Sequence, residues 1–270
     1  MKNTSSEKLR RYYNKKYYLT ACSGREGIEN YLKKNGLGLT PYISRPFKLI
    51  SVCQDQKILD VGCGRGEVVL HCAIRGAKAY GIDFSESAIK LAEDIRSKAS
   101  SDIQNRVKFI VGNAANLPFS DNFFDICFLL DVVEHVNNNE LSKILSEIHR
   151  VLKIKGTLIV HSTPNNLNEK FGLLFKKYIY KLFCNKKFSG GKREKREFDF
   201  LHINEQNYFS LKRHLNKAGF EENKVWFDTT YNVWKKRRNK TKLDKTFSFI
   251  YDFLHLDILF GHDLVAVSKK

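Results

Sequence analysis

Short apolar runs alternating with helical stretches from residue 57 onward predict an α/β protein built on a mostly parallel sheet. Two features support that class. Phe124–Leu130 is an apolar run of the kind buried on both faces of a sheet. A glycine-rich turn, D-V-G-C-G-R-G at 60–66, follows the first strand candidate and opens a helix. With 270 residues, 42% of them hydrophobic, the chain can bury a sizeable core as one domain spanning 1–270.

The elements follow in order. Lys57–Val61 reads as a strand, and a helix runs from the glycine turn to about Arg75. Lys78–Ile82 is a second strand, Glu86–Ser100 a helix, Val107–Val111 a third strand and Phe124–Leu130 a fourth. Leu141, Ile144, Leu145, Ile148, Val151 and Leu152 recur at helical spacing, which predicts an amphipathic helix over Asn139–Leu152. Gly156–His161 is a fifth strand. Glu205–Ala218 is a helix closed by Gly219, a residue suited to the left-handed turn after a helix. Glu221–Phe227 and His262–Ser268 complete the sheet. Ligands of such sheets bind outside the carboxyl ends of the strands, where strand order reverses. The segments after the fifth and sixth strands, 165–200 and 228–260, therefore emerge on the ligand side. The first fifty residues are expected to form a helical cap over it.

The net charge is +18. Residues 1–18 hold six Lys/Arg and one acid, 165–200 hold ten and four, and 231–245 hold seven and one, so a nearly neutral core carries three basic blocks. Such blocks suit solvent or an anionic partner. Residues 171–183 place Phe171, Leu174, Phe175, Tyr178, Ile179, Leu182 and Phe183 at helical spacing beside lysines, a pattern common to membrane-surface helices. An aromatic run at Phe247–Phe260 has the same ambiguity. No apolar run approaches the roughly 18–20 residues of a membrane span. The six cysteines are scattered without a C-x-x-C pair, so reduced thiols in the cytoplasm are expected.

The glycine turn carries the chemistry. Gly62, Gly64 and Gly66 let the backbone turn tightly and approach a ligand. A dinucleotide fingerprint needs its third glycine one residue later, where Glu67 stands. Asp60, at the strand end, is placed to meet an ammonium group, which a dinucleotide lacks. Asp83 closes the second strand and can accept two ribose hydroxyls, with Phe84 beside an adenine. Asn113 and the Ala114 backbone are candidates to read the adenine edge.

With N-A-A-N-L-P-F (113–119), D-I-C-F-L-L-D-V-V-E-H-V (125–136), E-I-H-R-V-L-K-I-K-G-T-L (147–158) and L-x-x-A-G-F (215–220), the chain resembles the class I S-adenosylmethionine-dependent methyltransferases over roughly 55–163 and again near 200–227. The resemblance implies a Rossmann-like, mostly parallel seven-stranded sheet, with helices on both faces and the last strand antiparallel. It also implies S-adenosyl-L-methionine held by Asp60, Gly62, Cys63, Gly64, Gly66, Asp83, Phe84, Asn113, Ala114 and Leu130. Relatives usually carry Asp at 113, so the amide there is a departure. The stretch D-x-x-E-H (Asp131, Glu134, His135) is similar to the E-x-x-E-H of quinone-biosynthesis O-methyltransferases, where those residues are implicated in binding a divalent metal. Asp replaces the first Glu here, and no metal is assigned. His135, Glu134 and His202 (in F-L-H-I-N, 200–204) are the candidate catalytic residues.

No Asn-Pro-Pro-aromatic motif follows the fourth strand, which disfavours nucleic-acid adenine methylation. The leading expectation is O-methylation of a small or lipid-linked acceptor, with the protein cytoplasmic and in peripheral contact with the anionic inner face of a membrane. Nucleic acid is not an expected partner. An RNA methyltransferase using the basic blocks for phosphates is the first alternative. A non-catalytic binding protein that keeps the fold is the second.

Overall fold

The computed structural model describes residues 10–22, 39, 44, 46–164, 178, 181, 199–228 and 263–270, and within them strand and helix alternate as expected. A short helix, α1 (Lys15–Thr20), precedes β1 (Lys57–Val61), α2 (Glu67–Ile74), β2 (Lys78–Asp83), α3 (Glu86–Ser97), α4 (Ser101–Arg106), β3 (Val107–Val111) and β4 (Phe124–Leu130). There follow a 3₁₀ turn (Val133–His135), α5 (Asn138–Val151), β5 (Leu152–Ser162), α6 (Tyr208–Lys217), β6 (Glu221–Asp228) and β7 (Asp263–Lys269).

The seven strands form one sheet in the order β3-β2-β1-β4-β5-β7-β6. β1 pairs in parallel with both β2 and β4, so strand order reverses there and opens a crevice at their carboxyl ends. β7 runs antiparallel between β5 and β6. Two cores cover the sheet. Leu59, Val61, Leu129, Leu158 and Val160 pack with the apolar stripes of α5 and α6. Ile58, Phe128 and Ile159 pack with Val69, Leu70 and Ala92 of α2 and α3 and with Phe47. Each Val, Leu, Ile or Phe among them gains about 1.5–3 kcal/mol from burial.

Several boundaries differ from the expectation for local reasons. The helix predicted over 86–100 ends at Ser97, because Ser100 turns extended and starts α4. β5 begins at Leu152, immediately after α5, since Leu152 pairs with Phe124 before a register shift. α6 starts at Tyr208 rather than Glu205. Asn207 and Ser210 form a reciprocal cap there, each side chain bonding the other's backbone N–H. Gly219 does close the helix, at φ +92°. The amphipathic segment 171–183 (apart from Tyr178 and Lys181) and the aromatic run 247–260 lie outside the described residues. Among the described residues no helix is long and apolar enough to cross a membrane.

Candidate active site

The glycine turn lies at the switch point and is held against β2. Gly62 and Cys63 donate to the Ile82 carbonyl at 2.8 and 3.1 Å, and Gly64 donates to Asp83 Oδ2 at 3.0 Å. The three glycines take φ of +77°, +52° and +83°, the left-handed region that costs any other residue about 1–2 kcal/mol. Gly62 also lies directly beneath Val132, whose methyl a Cβ would overlap. The Cys63 thiol packs against Gly81 in the core and donates to the Gly64 carbonyl at 3.9 Å.

Asp83, at the carboxyl end of β2, accepts from Gly64 N–H and, through Oδ1 at 2.8 Å, from Ser85 N–H. Burial raises its pKa, while those two bonds and the Tyr18 hydroxyl favour its charge. Asp60 is buried beside it. Burial first, and then the charges of Glu67 and Asp83, push the Asp60 carboxyl well up. A cationic ligand relieves such crowding. Phe84 is exposed at the rim, Ala114 is half-buried, and Asn113 accepts from Ala115 N–H through Oδ1 at 3.0 Å, which turns its Nδ2 donor outward. Leu130 is half-buried at the end of β4.

Beyond β4 the chain turns sharply. Asp131 takes φ +54° and donates its N–H to the His161 carbonyl at 3.0 Å. Its Oδ1 accepts from His161 Nδ1 at 2.6 Å. Burial opposes the charge on His161, but Asp131 outweighs it, helped by Asp263 and Glu134, and the imidazole pKa rises to about 9. Glu134 is buried and accepts from Ser162 Oγ at 3.0 Å and Thr163 N–H at 3.3 Å, while its backbone carbonyl accepts from Ile203 and Asn204 N–H. Burial and the Asp131 charge raise its pKa. Glu134 thus ties two loops together.

His135 and His202, 67 positions apart in sequence, meet edge to face with ring centroids 4.7 Å apart. His135 Nδ1 lies 3.2 Å from the Leu201 carbonyl. A carbonyl can only accept, so Nδ1 carries the proton and Nε2 presents a lone pair. Burial, opposed by that bond and by Asp131, lowers the His135 pKa and keeps it neutral.

Residues of the N-terminal segment also reach this crevice, and the sequence reading did not single them out. Ser85 Oγ donates to the Tyr13 carbonyl at 2.8 Å. The Tyr13 ring lies edge-on to Phe84 at 5.2 Å and to His135 at 5.8 Å, and its buried hydroxyl has no partner among the described residues. Fully buried Arg65 donates to the Tyr18 carbonyl at 2.7 Å and pairs with Glu67 at 2.5 Å. The Y-Y pairs at 12–13 and 17–18, and a histidine at the end of an apolar strand, were the available signals.

The residues present fit S-adenosylmethionine. A buried carboxylate ends β2 for a diol, a second carboxyl flanks the glycine turn for a cation, and the Tyr13 hydroxyl, without a partner among the described residues, lies beside Phe84 and His135.

Residues 59–160 match the family model of the methyltransferase domain. The chain is 30% identical to demethylmenaquinone methyltransferase of Staphylococcus saprophyticus over 190 residues, covering 67% of this chain and 77% of that protein. It is also 30% identical to sterol 4-C-methyltransferase strm-1 of Caenorhabditis elegans over 112 residues, 42% of this chain and 32% of that one. The chain spans about a third of the length of that relative and of two N-methyltransferases of Rauvolfia serpentina. The crystal structure of a SAM-dependent methyltransferase from Archaeoglobus fulgidus shares the fold at a TM-score of 0.57 and 20% identity, covering 89% of this chain and 99% of that one.

Proposed function

The chain belongs to the class I S-adenosylmethionine-dependent methyltransferases, and from that premise we propose that it methylates an oxygen of a small, neutral, lipid-linked acceptor such as a prenylated phenol. The cofactor supplies an electrophilic methyl group on a sulfonium. Asp83 would hold its ribose, Asp60 its amino-acid end, and Phe84 with Asn113 and the Ala114 backbone its adenine. The observation that carries the oxygen-directed reading is the fixed tautomer of His135. A neutral imidazole with Nε2 turned out as a lone pair is suited to take the proton of a hydroxyl as it attacks. His202 packs against that ring and limits its rotation.

The charge balance supports a neutral acceptor. Asp131 is compensated by His161, and Glu134 is turned into the frame, so neither offers an uncompensated charge to a cationic amine. The match to a demethylmenaquinone methyltransferase supports a lipid-linked ring compound.

The test has two steps. Calorimetry should show micromolar S-adenosylhomocysteine binding that is lost in Asp83→Ala. Transfer of labelled methyl from S-adenosylmethionine to the hydroxyl of prenylated phenols, in vesicles holding anionic lipid, should then depend on His135. His135→Ala should lower turnover by about 10²–10⁴-fold and leave S-adenosylhomocysteine affinity unchanged. Label appearing on nitrogen or carbon, or turnover indifferent to His135, would overturn the oxygen-directed reading.

A further inference from the structure

We propose that His161 is a positioning residue of this site: its imidazole clamps the Asp131 carboxylate, and with it the left-handed turn that seats Val132 on the glycine loop and leaves Asp131 Oδ2 open to a donor hydrogen of the acceptor. The inference rests on the function proposed above for the identity of the two ligands, but its geometry stands on the protein alone. Asp131 is held twice by one residue, through its N–H to the His161 carbonyl and through Oδ1 to Nδ1. Those bonds fix both its backbone and its side chain at φ +54°. The next residue, Val132, lies over Gly62 so closely that only glycine fits beneath it. A chain of contacts therefore runs from β5 through the β4 turn to the cofactor loop.

The imidazole is 4% exposed and the carboxylate 30%, so the inner half of the pair is buried and the outer half opens to the crevice. The groups facing His161 are Asp131 after β4, Glu134 in the 3₁₀ turn and Asp263 on β7, all acidic. Among the described residues the Nε2 atom is buried without a partner, so the side-chain bond the imidazole makes there goes to Asp131. A histidine serving only as core filler has no need of it.

Asp131→Gly provides the decisive background. Glycine adopts positive φ freely, so in that variant the turn needs no clamp. We expect His161→Leu to weaken S-adenosylhomocysteine binding by about 10-fold in the natural background, comparable to the cost of an unsupported left-handed residue, and by less than about 2-fold in Asp131→Gly. His161→Gln, whose amide can still donate to Asp131, should recover part of the loss and guards against a leucine variant that fails to fold. Equal losses in both backgrounds would show that residue 161 acts through general packing and would overturn the inference. Absence of cofactor binding by the natural protein would instead sink the family-based reading. In that event the same four-protein cycle, read by urea midpoints, still tests the clamp: coupling between 161 and 131 supports it, and additivity refutes it.

Discussion

Gly66→Ala should unfold the protein more easily for two separable reasons. Gly66 sits at φ +83° where α2 begins, and an alanine there pays about 1–2 kcal/mol for the left-handed conformation. Its Cβ would also lie 2.5 Å from Phe109 Cζ, 2.8 Å from Cε1 and 3.0 Å from Ala92 Cβ. Phe109 is 8% exposed and Ala92 fully buried, so neither can swing away into solvent. Overpacking of this sort costs about 1–3 kcal/mol, and the sum is about 2–5 kcal/mol. With a urea slope of about 3 kcal/mol/M the midpoint should fall by about 1 M. Adding Phe109→Leu removes the ring atoms that the new methyl meets. The double-mutant cycle should then return the overpacking part, about 1–3 kcal/mol, and leave the conformational part. An unchanged midpoint in Gly66→Ala, or costs that simply add, would refute this account of the glycine loop.

Other expectations follow from the charges. Arg65→Ala leaves Glu67 buried without its partner and removes the anchor of the Tyr18 carbonyl; it should cost about 3–5 kcal/mol by urea unfolding, whereas Arg65→Met with Glu67→Gln should cost far less. Arg150 donates to the Leu117 and Phe119 carbonyls and to Glu147 and Asp121, and its side chain is about one-third exposed. Arg150→Ala should therefore lose only about 2 kcal/mol, read as a Tm drop of about 4–8 °C. For His161 the folded pKa of about 9 exceeds the ordinary 6.5. Its stabilisation is complete below pH 6.5 and is lost as pH rises through about 9. At about 1.4 kcal/mol per pH unit the loss is at most about 3 kcal/mol, and Glu134, also raised, adds in the same direction. Urea midpoints at pH 6 and 9 should differ accordingly in the natural protein, and much less in Asp131→Asn.

Much of the fold could be read from sequence because periodicity and turn residues agreed. The α5 stripe from Leu141 to Val151, the three left-handed glycines and Gly219 all occupy the places their chemistry predicts. Strand and helix edges were harder to read, since Ser100 sets one through its extended backbone and Asn207 sets another through a side-chain cap with Ser210, neither of which the apolar spacing encodes. Within the site, Asp60 and Asp83 could be placed because both end strands beside the glycine turn. Glu134 is a candidate catalytic residue by its place in D-x-x-E-H, while the bonds of its oxygens to Ser162 and Thr163 of another strand end could not be read from that motif. The Asp131–His161 pair was missed because it joins residues 30 positions apart that no local motif connects. The approach of Tyr13 and Tyr18 to Ser85 and Asp83 was missed for the same reason, at 72 and 65 positions.

The placement of β7 has a consequence for how the molecule is made. It fills the slot between β5 and β6, although β5 ends at Ser162 and β7 begins only at Asp263. A nascent chain that has emerged through β5 can assemble β1 to β5 in parallel, but the apolar edge of β5 then waits for a strand about 100 residues away. At ribosomal rates of about 5–20 residues per second, that edge stays open for roughly 5–20 seconds, and unpaired strand edges of this kind invite wrong partners. The step that closes the sheet also brings Asp263 to Thr163, so that contact at the end of β5 forms only when synthesis has passed β7.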